Sequence, residues 1–493
     1  MQIESYRSRL EEFEQNLNRE LYEFRSGLKE KLEIVSVYAD YSDFFCIENI
    51  REIESALKDE SFESRRKSLE KILLFLIDQY LDFHTAPVRQ ELASFERDQT
   101  LIWEGRKISV SQIRSRLKSE PDALTRRKLN ERYAEALSES GGLREREIAQ
   151  LRSAAADLGF KNYTEARERI SRVQYEKLSG SFEEVLKRIE DKYLERLRLS
   201  FETTLGIAFQ EAGSWDLAHW EWRNDEPQLF PAKDLPRVIE SAVAALRPER
   251  PEYVSMDLAR RNGKQPSPCC IPIRVPEEIK IVVAPEDGFR HCAALLHETG
   301  HAYHFAWTNP SLAPEHRLLG DRALSEAYAF LLEHFLYERE WLAHTLLFTK
   351  SEDFVRFQAL RRIYLIRRTV GKLRFALKLY GEGAADDAPQ MYSETMKTYT
   401  GLQHAPESWT AGSGDAFASA DYLRGWVLEA MLREYLRTRF GNSWLGSRAA
   451  CRYLKEIWET GLLYRADELC REIGVGDLEP QVLADQLGEG LQY

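Results

Sequence analysis

Apolar residues recur at steps of three and four over most of this chain, and strand-like alternation is almost absent from its first half. The clearest stripe comprises Ile3, Tyr6, Leu10, Phe13, Leu17, Leu21, Phe24, Leu28, Leu32 and Val35. Such spacing places the apolar side chains on one face of a helix, so it predicts a long amphipathic helix over residues 3–35. The same periodicity predicts helices over residues 67–83, 122–138, 143–158 and 182–205. The pattern therefore restricts the chain to a mainly α fold.

Residues 259–288 differ from this pattern, since they are rich in Gly and Pro and contain two short apolar runs at 270–275 and 279–284. Pro276-Glu277 is a suitable turn between the runs, so we expect a hairpin or small sheet here. The run at 279–284 is either a strand whose edge pairs with an extended peptide or an ordinary buried strand, and the sequence favours neither. Helical periodicity resumes after Asp287-Gly288, and Asp287 is the expected N-cap.

The chain is several times longer than one hydrophobic core requires, with 493 residues. A weak breaker, LSGS at residues 178–181, precedes the helix predicted over 182–205. We therefore expect an N-terminal helical lobe over residues 1–178 and a second lobe over residues 179–493.

Charge and cysteine content narrow the class of protein. The formal net charge of −12 argues against nucleic acid as a partner, because phosphate binding needs a surplus of Lys and Arg. The six cysteines form no C-x-x-C pair and no evident disulfide framework, which indicates reduced thiols. The N-terminus has no apolar signal core, and the most apolar run, residues 72–77, is too short for a membrane span. We expect a cytoplasmic protein without a membrane partner.

An H-E-x-x-H motif lies in the helical stretch that follows the two short apolar runs, with its histidines at positions 297 and 301. Residues four apart share one face of a helix, so both imidazoles can reach one Zn²⁺, which binds histidine nitrogen. Glu298 then lies beside the ion, placed to accept a proton from water. The competing interpretation is a chance pair of histidines. His304 lies off the ligand face, so a packing or surface role is expected.

A catalytic zinc ion needs a third protein ligand and keeps a fourth position for water. The downstream candidates are Glu315, Glu326, Glu333 and Glu338. Glu326 is favoured because it lies in an apolar helical segment, residues 323–336, where a carboxylate needs a partner. Glu333 lies about two turns further along the same face, which suits a carboxylate that orients a histidine ligand.

Several segments together resemble the thimet oligopeptidase and oligoendopeptidase F family of zinc peptidases. The strongest is HETGHAYH at residues 297–304, whose second histidine precedes the glutamate of SEAYAFLLEH by 25 residues. The other matching segments are LGFKNYTEAR at 158–167, SWDLAHW at 214–220, NGKQPSPCCIP at 262–272 and ADYLRGWVLEAML at 420–432. They follow the family order and together cover roughly residues 150–440.

The resemblance implies a mainly α, two-lobed helical zincin of the gluzincin type, with a small β-sheet next to the active-site helix and a deep substrate channel. It implies one Zn²⁺ per chain, bound by His297, His301 and Glu326, with Glu298 as general base. Glu333 matches the family's following carboxylate. The implied activity is endopeptidase cleavage of short peptides.

The C-terminal region departs from the family pattern. The family places a histidine and several tyrosines near a Gly-rich loop to bind the substrate carbonyl, whereas the matching positions here are Gly412, Ala418 and Ala420. Tyr422 is retained, and we expect it to contact substrate and stabilise the oxyanion; a half-buried core tyrosine is the equal competing interpretation. His404, upstream, is a candidate replacement for the missing substrate-binding histidine.

Two other functions remain open from the sequence. One is a helical zinc carboxypeptidase, although the His-Pro-Phe motif of that class is absent. The other is a catalytically weak homologue that binds peptides without cleaving them, which the missing C-terminal contacts favour. Retention of Glu298 argues against a pure binder, because binding alone requires no general base.

Overall fold

The computed structural model describes residues 3–246, 252–348, 351–381, 387–414, 417–442, 444 and 446–490. The chain is mainly helical, as the periodicity predicts, and contains two small sheets. Its first twelve helices are α1 (Ile3–Arg25), α2 (Ile34–Ala39), α3 (Ile47–Asp59), α4 (Glu63–Asp98), α5 (Val110–Ser119), α6 (Ala123–Ser138), α7 (Gly141–Asp157), α8 (Tyr163–Ser171), α9 (Tyr175–Arg188), α10 (Glu190–Leu205), α11 (Leu217–Arg223) and α12 (Leu235–Leu246).

The later helices are α13 (Phe289–Trp307), α14 (Pro314–Leu318), α15 (Arg322–Glu333), α16 (Arg339–Leu346), α17 (Glu352–Tyr380), α18 (Ala388–Thr400), α19 (Trp409–Ser413), α20 (Ala418–Phe440), α21 (Arg448–Glu459), α22 (Ala466–Glu472) and α23 (Pro480–Gly490). The strands are β1 (Thr100–Trp103), β2 (Arg106–Ser109), β3 (Val254–Asp257), β4 (Cys269–Arg274) and β5 (Glu278–Val282). Short 3-10 helices cover Phe209–Glu211, Ala232–Asp234, His334–Tyr337 and Pro406–Ser408. Among the described helices, none is both long enough and apolar enough to cross a membrane.

The chain forms two compact units, each assembled from three segments. The first unit contains Met1–Ala86, Pro227–Ser351 and Arg424–Val482; the second contains Pro87–Glu226, Glu352–Leu423 and Leu483–Tyr493. This grouping differs from the expected division into residues 1–178 and 179–493. The physical reason lies in helix α1, which packs on β4 and α14 and so joins the segment that carries the H-E-x-x-H motif.

The first unit contains the small sheet, with strand order β3-β5-β4. Strands β4 and β5 form the predicted antiparallel hairpin, with the predicted turn at Pro276-Glu277 between them. Alternate residues of β4, from Cys269 to Ile273, are buried, and helix α13 packs against both strands. Of the two alternatives for residues 279–284, the ordinary buried strand is confirmed, because β5 is paired on both sides. Within the described sheet, β4 is an edge strand.

The helix predicted over residues 3–35 ends ten residues early, at Arg25. Gly27 has a left-handed φ of 73°, and a Cβ there would lie 2.8 Å from the backbone of both Asn262 and Lys264. The backbone N–H of Gln265 donates to the carbonyl of Arg25 at 3.0 Å. This contact with a distant loop ends the helix, although the apolar stripe continues to Val35. Leu28, which belongs to the stripe, is 56% exposed as a result.

Two further differences concern the second unit. The helix predicted over residues 182–205 is two helices, α9 and α10, and the expected break at residues 178–181 lies inside α9. The hairpin β1–β2 was not predicted. It turns at Glu104-Gly105, both with positive φ, and buries Ile108 against residues of α5 and α6.

Candidate metal centre

Helix α13 carries both histidines of the motif. It begins after Gly288 and not at the expected N-cap Asp287, whose Oδ1 instead accepts the backbone N–H of Ala232 at 2.7 Å. The helical spacing places His297 and His301 on one face, with ring centroids 4.9 Å apart. Their side chains are 13% and 14% exposed, so the pair is shielded and still accessible to a small ion.

Helix α15 carries Glu326 and packs closely against α13. The contact is made at Gly300, between the two histidines, where a Cβ would lie 2.5 Å from Ala329 Cα and 2.8 Å from the Tyr328 carbonyl oxygen. Gly425 of α20 permits a second close contact, because a Cβ there would lie 2.7 Å from Glu326 Cβ. The absence of a side chain at these two glycines therefore brings Glu326 up to the histidine pair.

The three side chains converge. Their ligand atoms lie within 4.8 Å of one another, and Glu326 Oε2 lies 3.2 Å from His297 Nε2 and 3.8 Å from His301 Nε2. Tetrahedral ligands with bonds of about 2.0–2.2 Å are roughly 3.3–3.6 Å apart, so both Glu326 distances lie within about 0.2 Å of the spacing around a zinc ion. Glu326 Oε2 is buried and makes no hydrogen bond with the described part of the chain. A bound cation would satisfy this oxygen.

Each histidine has a second contact through its Nδ1. His297 Nδ1 lies 3.3 Å from Glu333 Oε2, and the Tyr337 hydroxyl donates to Glu333 Oε1 at 2.8 Å. His301 Nδ1 lies 2.7 Å from Ser325 Oγ. Glu333 was predicted from its spacing. The contacts of Tyr337 and Ser325 were not predicted. The only sequence signal for Tyr337 was its position one turn after Glu333, and the only one for Ser325 was its position directly before Glu326.

Burial and charge set the protonation of the centre. Burial lowers the pKa of His297, but the carboxylates of Glu326 and Glu333 outweigh this effect and hold the pKa well above its usual value. Burial lowers the pKa of His301 to about 4. Burial raises the pKa of Glu298. Burial alone would also raise the pKa of Glu326, but the two imidazoles outweigh this effect and lower the pKa. An ionised Glu326 therefore faces a neutral His301 and a protonated His297, and ligation of a metal ion would release the His297 proton.

Glu298 is held against the edge strand of the sheet. Its Oε2 accepts the backbone N–H of Cys270, on β4, at 2.7 Å. Strand β4 and helix α13 thus fix the carboxylate from two sides, next to the histidine pair on its own helix. This arrangement provides a positioned proton acceptor beside the candidate metal centre.

Two carboxylates considered as ligands from the sequence lie elsewhere. Glu315 is fully buried and forms an ion pair with Arg7 at 2.5 Å. Glu338 Oε1 lies 3.1 Å from His334 Nε2 and 3.3 Å from Arg437. Of the four candidates, only Glu326 has contacts with both His297 and His301 among the described residues.

Two predicted substrate contacts belong to the second unit. Tyr422 lies on α20 and is 39% exposed. His404 is buried, and its Nε2 lies 3.1 Å from the hydroxyl of Thr400; burial lowers its pKa to about 3. The contacts of His404 are those of a packed side chain and give no support to a substrate contact. Its predicted role and that of Tyr422 stay predictions.

Two solved structures with the same fold are both peptidases by description. One is PZ peptidase A with inhibitor 2, which matches with a TM-score of 0.72 and 17% identity over 93% of this chain and 84% of that chain. Another is described as an oligoendopeptidase F from Bacillus anthracis str. Ames, with a TM-score of 0.62 and 14% identity over 93% of this chain and 82% of that chain. At such identities the similarity establishes the fold.

No protein-family model and no curated protein sequence matches the chain. The resemblance inferred from the motifs is nevertheless confirmed at the level of the fold, since the similar structures are of the PZ peptidase and oligoendopeptidase F type. The mainly α fold with a small sheet beside the motif helix is likewise confirmed.

Proposed function

We propose that this protein is a zinc-dependent metallopeptidase that hydrolyses short peptides as an oligoendopeptidase. The observation that carries the proposal is the convergence of His297 Nε2, His301 Nε2 and Glu326 Oε2, with Glu298 on the same helix as the histidines. The descriptions of the two similar solved structures, a PZ peptidase and an oligoendopeptidase F, support the same class of enzyme.

In this proposal each residue has a separate task. Zn²⁺ held by three protein ligands would polarise the scissile carbonyl and lower the pKa of a water molecule. Glu298, held by the N–H of Cys270, accepts the water proton and passes it to the leaving amine. Glu333 holds the ring of His297 through Nδ1, so that Nε2 is directed at the ion.

The substrate contacts belong to the proposal as well. A hydroxyl such as that of Tyr422 would donate to the developing oxyanion, and one well-aimed donor contributes about 2.7–4 kcal/mol. His404 stays the predicted substrate-binding histidine. A deep channel that admits short peptides and excludes folded proteins is the expected route to the site.

We further propose that the enzyme works in the cytoplasm on short peptides. All six cysteines lie within the described residues, and none forms a disulfide, which agrees with a reducing compartment. The acidic net charge continues to argue against nucleic acid as a partner.

The test is cleavage of internally quenched peptides by the wild type and by Glu298→Gln. We expect wild-type cleavage that a chelator abolishes and added Zn²⁺ restores. Glu298→Gln should reduce turnover by at least about 100-fold, because it removes a general base, while the bound zinc measured by mass spectrometry stays equal to wild type. Glu338→Gln is the matched control, since this carboxylate contacts His334 and not the zinc ligands.

The cleavage products separate the alternatives. Release of internal fragments supports the oligoendopeptidase, whereas stepwise loss of C-terminal residues supports a carboxypeptidase. Binding of zinc and peptide with no cleavage by wild type would support the peptide-binding homologue. Cleavage that persists in Glu298→Gln would refute the assigned role of this residue.

A further inference from the structure

Ser325 lies between the imidazoles of His301 and His304. Its Oγ is 2.7 Å from His301 Nδ1 and 3.3 Å from His304 Nδ1. The other nitrogen of His304, Nε2, is 3.1 Å from the backbone carbonyl oxygen of Gly461. His304 is fully buried and Ser325 is 7% exposed. The three side chains thus connect a metal-ligand candidate to a backbone carbonyl, all within the first unit.

The chemistry of these groups fixes the direction of every hydrogen bond. A carbonyl oxygen only accepts, so His304 Nε2 must carry a hydrogen. A buried, neutral imidazole then has a lone pair on Nδ1, which must accept the single hydrogen of the Ser325 hydroxyl. The Ser325 oxygen is left to accept, so the His301 Nδ1 must donate. His301 consequently has its hydrogen on Nδ1 and its lone pair on Nε2.

We propose that Ser325 and His304 are positioning residues that hold His301 in the Nδ1–H tautomer and direct its Nε2 lone pair at the metal. The identity of the ion rests on the proposed function. Neither residue touches the ion or the substrate in this proposal. They act through His301 alone, because the hydrogen-bonded partner of one ring nitrogen decides which tautomer the imidazole adopts.

The carbonyl of Gly461 is a fixed acceptor. The backbone N–H of Gly461 donates to the Trp458 carbonyl at 2.9 Å, and the next N–H, of Leu462, donates to the His316 carbonyl at 2.8 Å. The peptide is therefore anchored on both sides. The ring of His304 is held in turn by packing against Tyr328, with ring centroids 4.9 Å apart. Rigid surroundings at both ends keep the hydrogen-bond chain aligned.

The direct test is the zinc affinity of the metal-free protein, measured by competition with a chromogenic chelator. Ser325→Ala removes the acceptor for His301, and loss of such a partner weakens metal binding by about 10–100-fold. Ser325→Thr retains the hydroxyl and should bind zinc within a few-fold of wild type. Ser68→Ala is the matched control, since this buried serine also contacts a histidine, His316 at 3.3 Å, which is no ligand candidate.

His304 offers a second pair of variants. His304→Gln can still donate to the Gly461 carbonyl and accept from Ser325, whereas His304→Phe can do neither. Without its acceptor, the Ser325 hydroxyl can donate to His301 Nδ1 and so place the hydrogen of His301 on the ligating nitrogen. We therefore expect zinc affinity to fall in the Phe variant and to recover largely in the Gln variant. Thermal unfolding of each variant establishes that it is folded.

The tautomer itself is read by NMR of the metal-free protein with ¹⁵N-labelled histidine. The His301 Nδ1–H signal should be protected from exchange in wild type and Ser325→Thr, and lost in Ser325→Ala. If Ser325→Ala binds zinc as tightly as Ser68→Ala and keeps this signal, the positioning role is refuted while the zinc site stands. If the wild type binds no zinc, the proposed function itself fails.

Discussion

The two histidines of the candidate metal centre have different hydrogen-bond partners at Nδ1. His297 Nδ1 faces the charged carboxylate of Glu333, which also accepts the Tyr337 hydroxyl, whereas His301 Nδ1 faces the neutral hydroxyl of Ser325. A carboxylate is an acceptor only, so Glu333 fixes the tautomer of His297 unaided. A hydroxyl can donate or accept, which is why Ser325 needs a further group to fix its direction.

The first prediction concerns Glu333. Glu333→Ala should lower zinc affinity by about 10–100-fold, because it removes the partner that orients His297, and peptidase activity should recover when zinc is supplied in excess. Chelator competition measures the affinity, and the exposed Glu340 of α16 gives the control Glu340→Ala. Equal affinities for the two variants would contradict the orienting role.

The site depends on how closely helices α13 and α15 approach each other. The distances at Gly300 leave no space for a methyl group, since the nearest atoms are backbone atoms of α15. A glycine inside a helix costs about 1 kcal/mol relative to alanine, and here it permits the contact that brings Glu326 to the histidines. The separation of the two helices therefore sets the separation of the ligands.

The second prediction follows from that contact. Gly300→Ala should destabilise the protein by about 1–3 kcal/mol through overpacking and should weaken zinc binding, because α15 must shift with Glu326. Urea unfolding and chelator competition measure the two effects. At Gly180, inside α9, an added methyl group would meet no atom within 4 Å, so Gly180→Ala should be neutral or stabilising. Tight zinc binding by Gly300→Ala would contradict this account.

The first unit is assembled from distant segments, and buried ion pairs join them. Asp321, the N-cap of α15, binds Arg424 of α20 at 2.7 and 2.5 Å and accepts the N–H of Ala466 at 3.0 Å. Burial alone would raise the pKa of Asp321, but the Arg424 charge and these hydrogen bonds lower it far below its usual value. One carboxylate thus connects α15 to two helices more than 100 residues later in the chain.

The third prediction is a pH dependence of unfolding. The folded-state pKa of Asp321 is depressed, so its contribution is fully present above the ordinary value near 4 and is lost as the pH falls below it. At pH 7, Asp321→Asn should lower the free energy of unfolding by about 3–5 kcal/mol, because it removes the nearer of the two carboxylates that face the buried Arg424 and leaves only Asp467, at 3.7 Å, of that pair. Urea unfolding from pH 7 to pH 3 should show this difference shrinking towards acid. A difference independent of pH would contradict the assignment.

The sequence by itself determined the local features of this protein. Helical periodicity predicted helices such as α6, expected over residues 122–138 and found at Ala123–Ser138, because an amphipathic stripe is a property of neighbouring residues. The Pro276-Glu277 turn predicted the β4–β5 hairpin for the same reason. Motif spacing singled out His297, Glu298 and His301, since a helix converts a spacing of four into one shared face. Glu326 was singled out as a carboxylate in an apolar helical segment.

Only the tertiary structure decided the features that depend on distant segments. Helix α1 ends at Arg25 because a loop more than 200 residues later meets the backbone at Gly27, and β5 is central because β3 pairs with its far side. The relation of Ser325 to His304 and Gly461 likewise joins three separate segments. Such contacts have no signature in local periodicity, because long-range packing and hydrogen bonding, and not the spacing of neighbours, determine them.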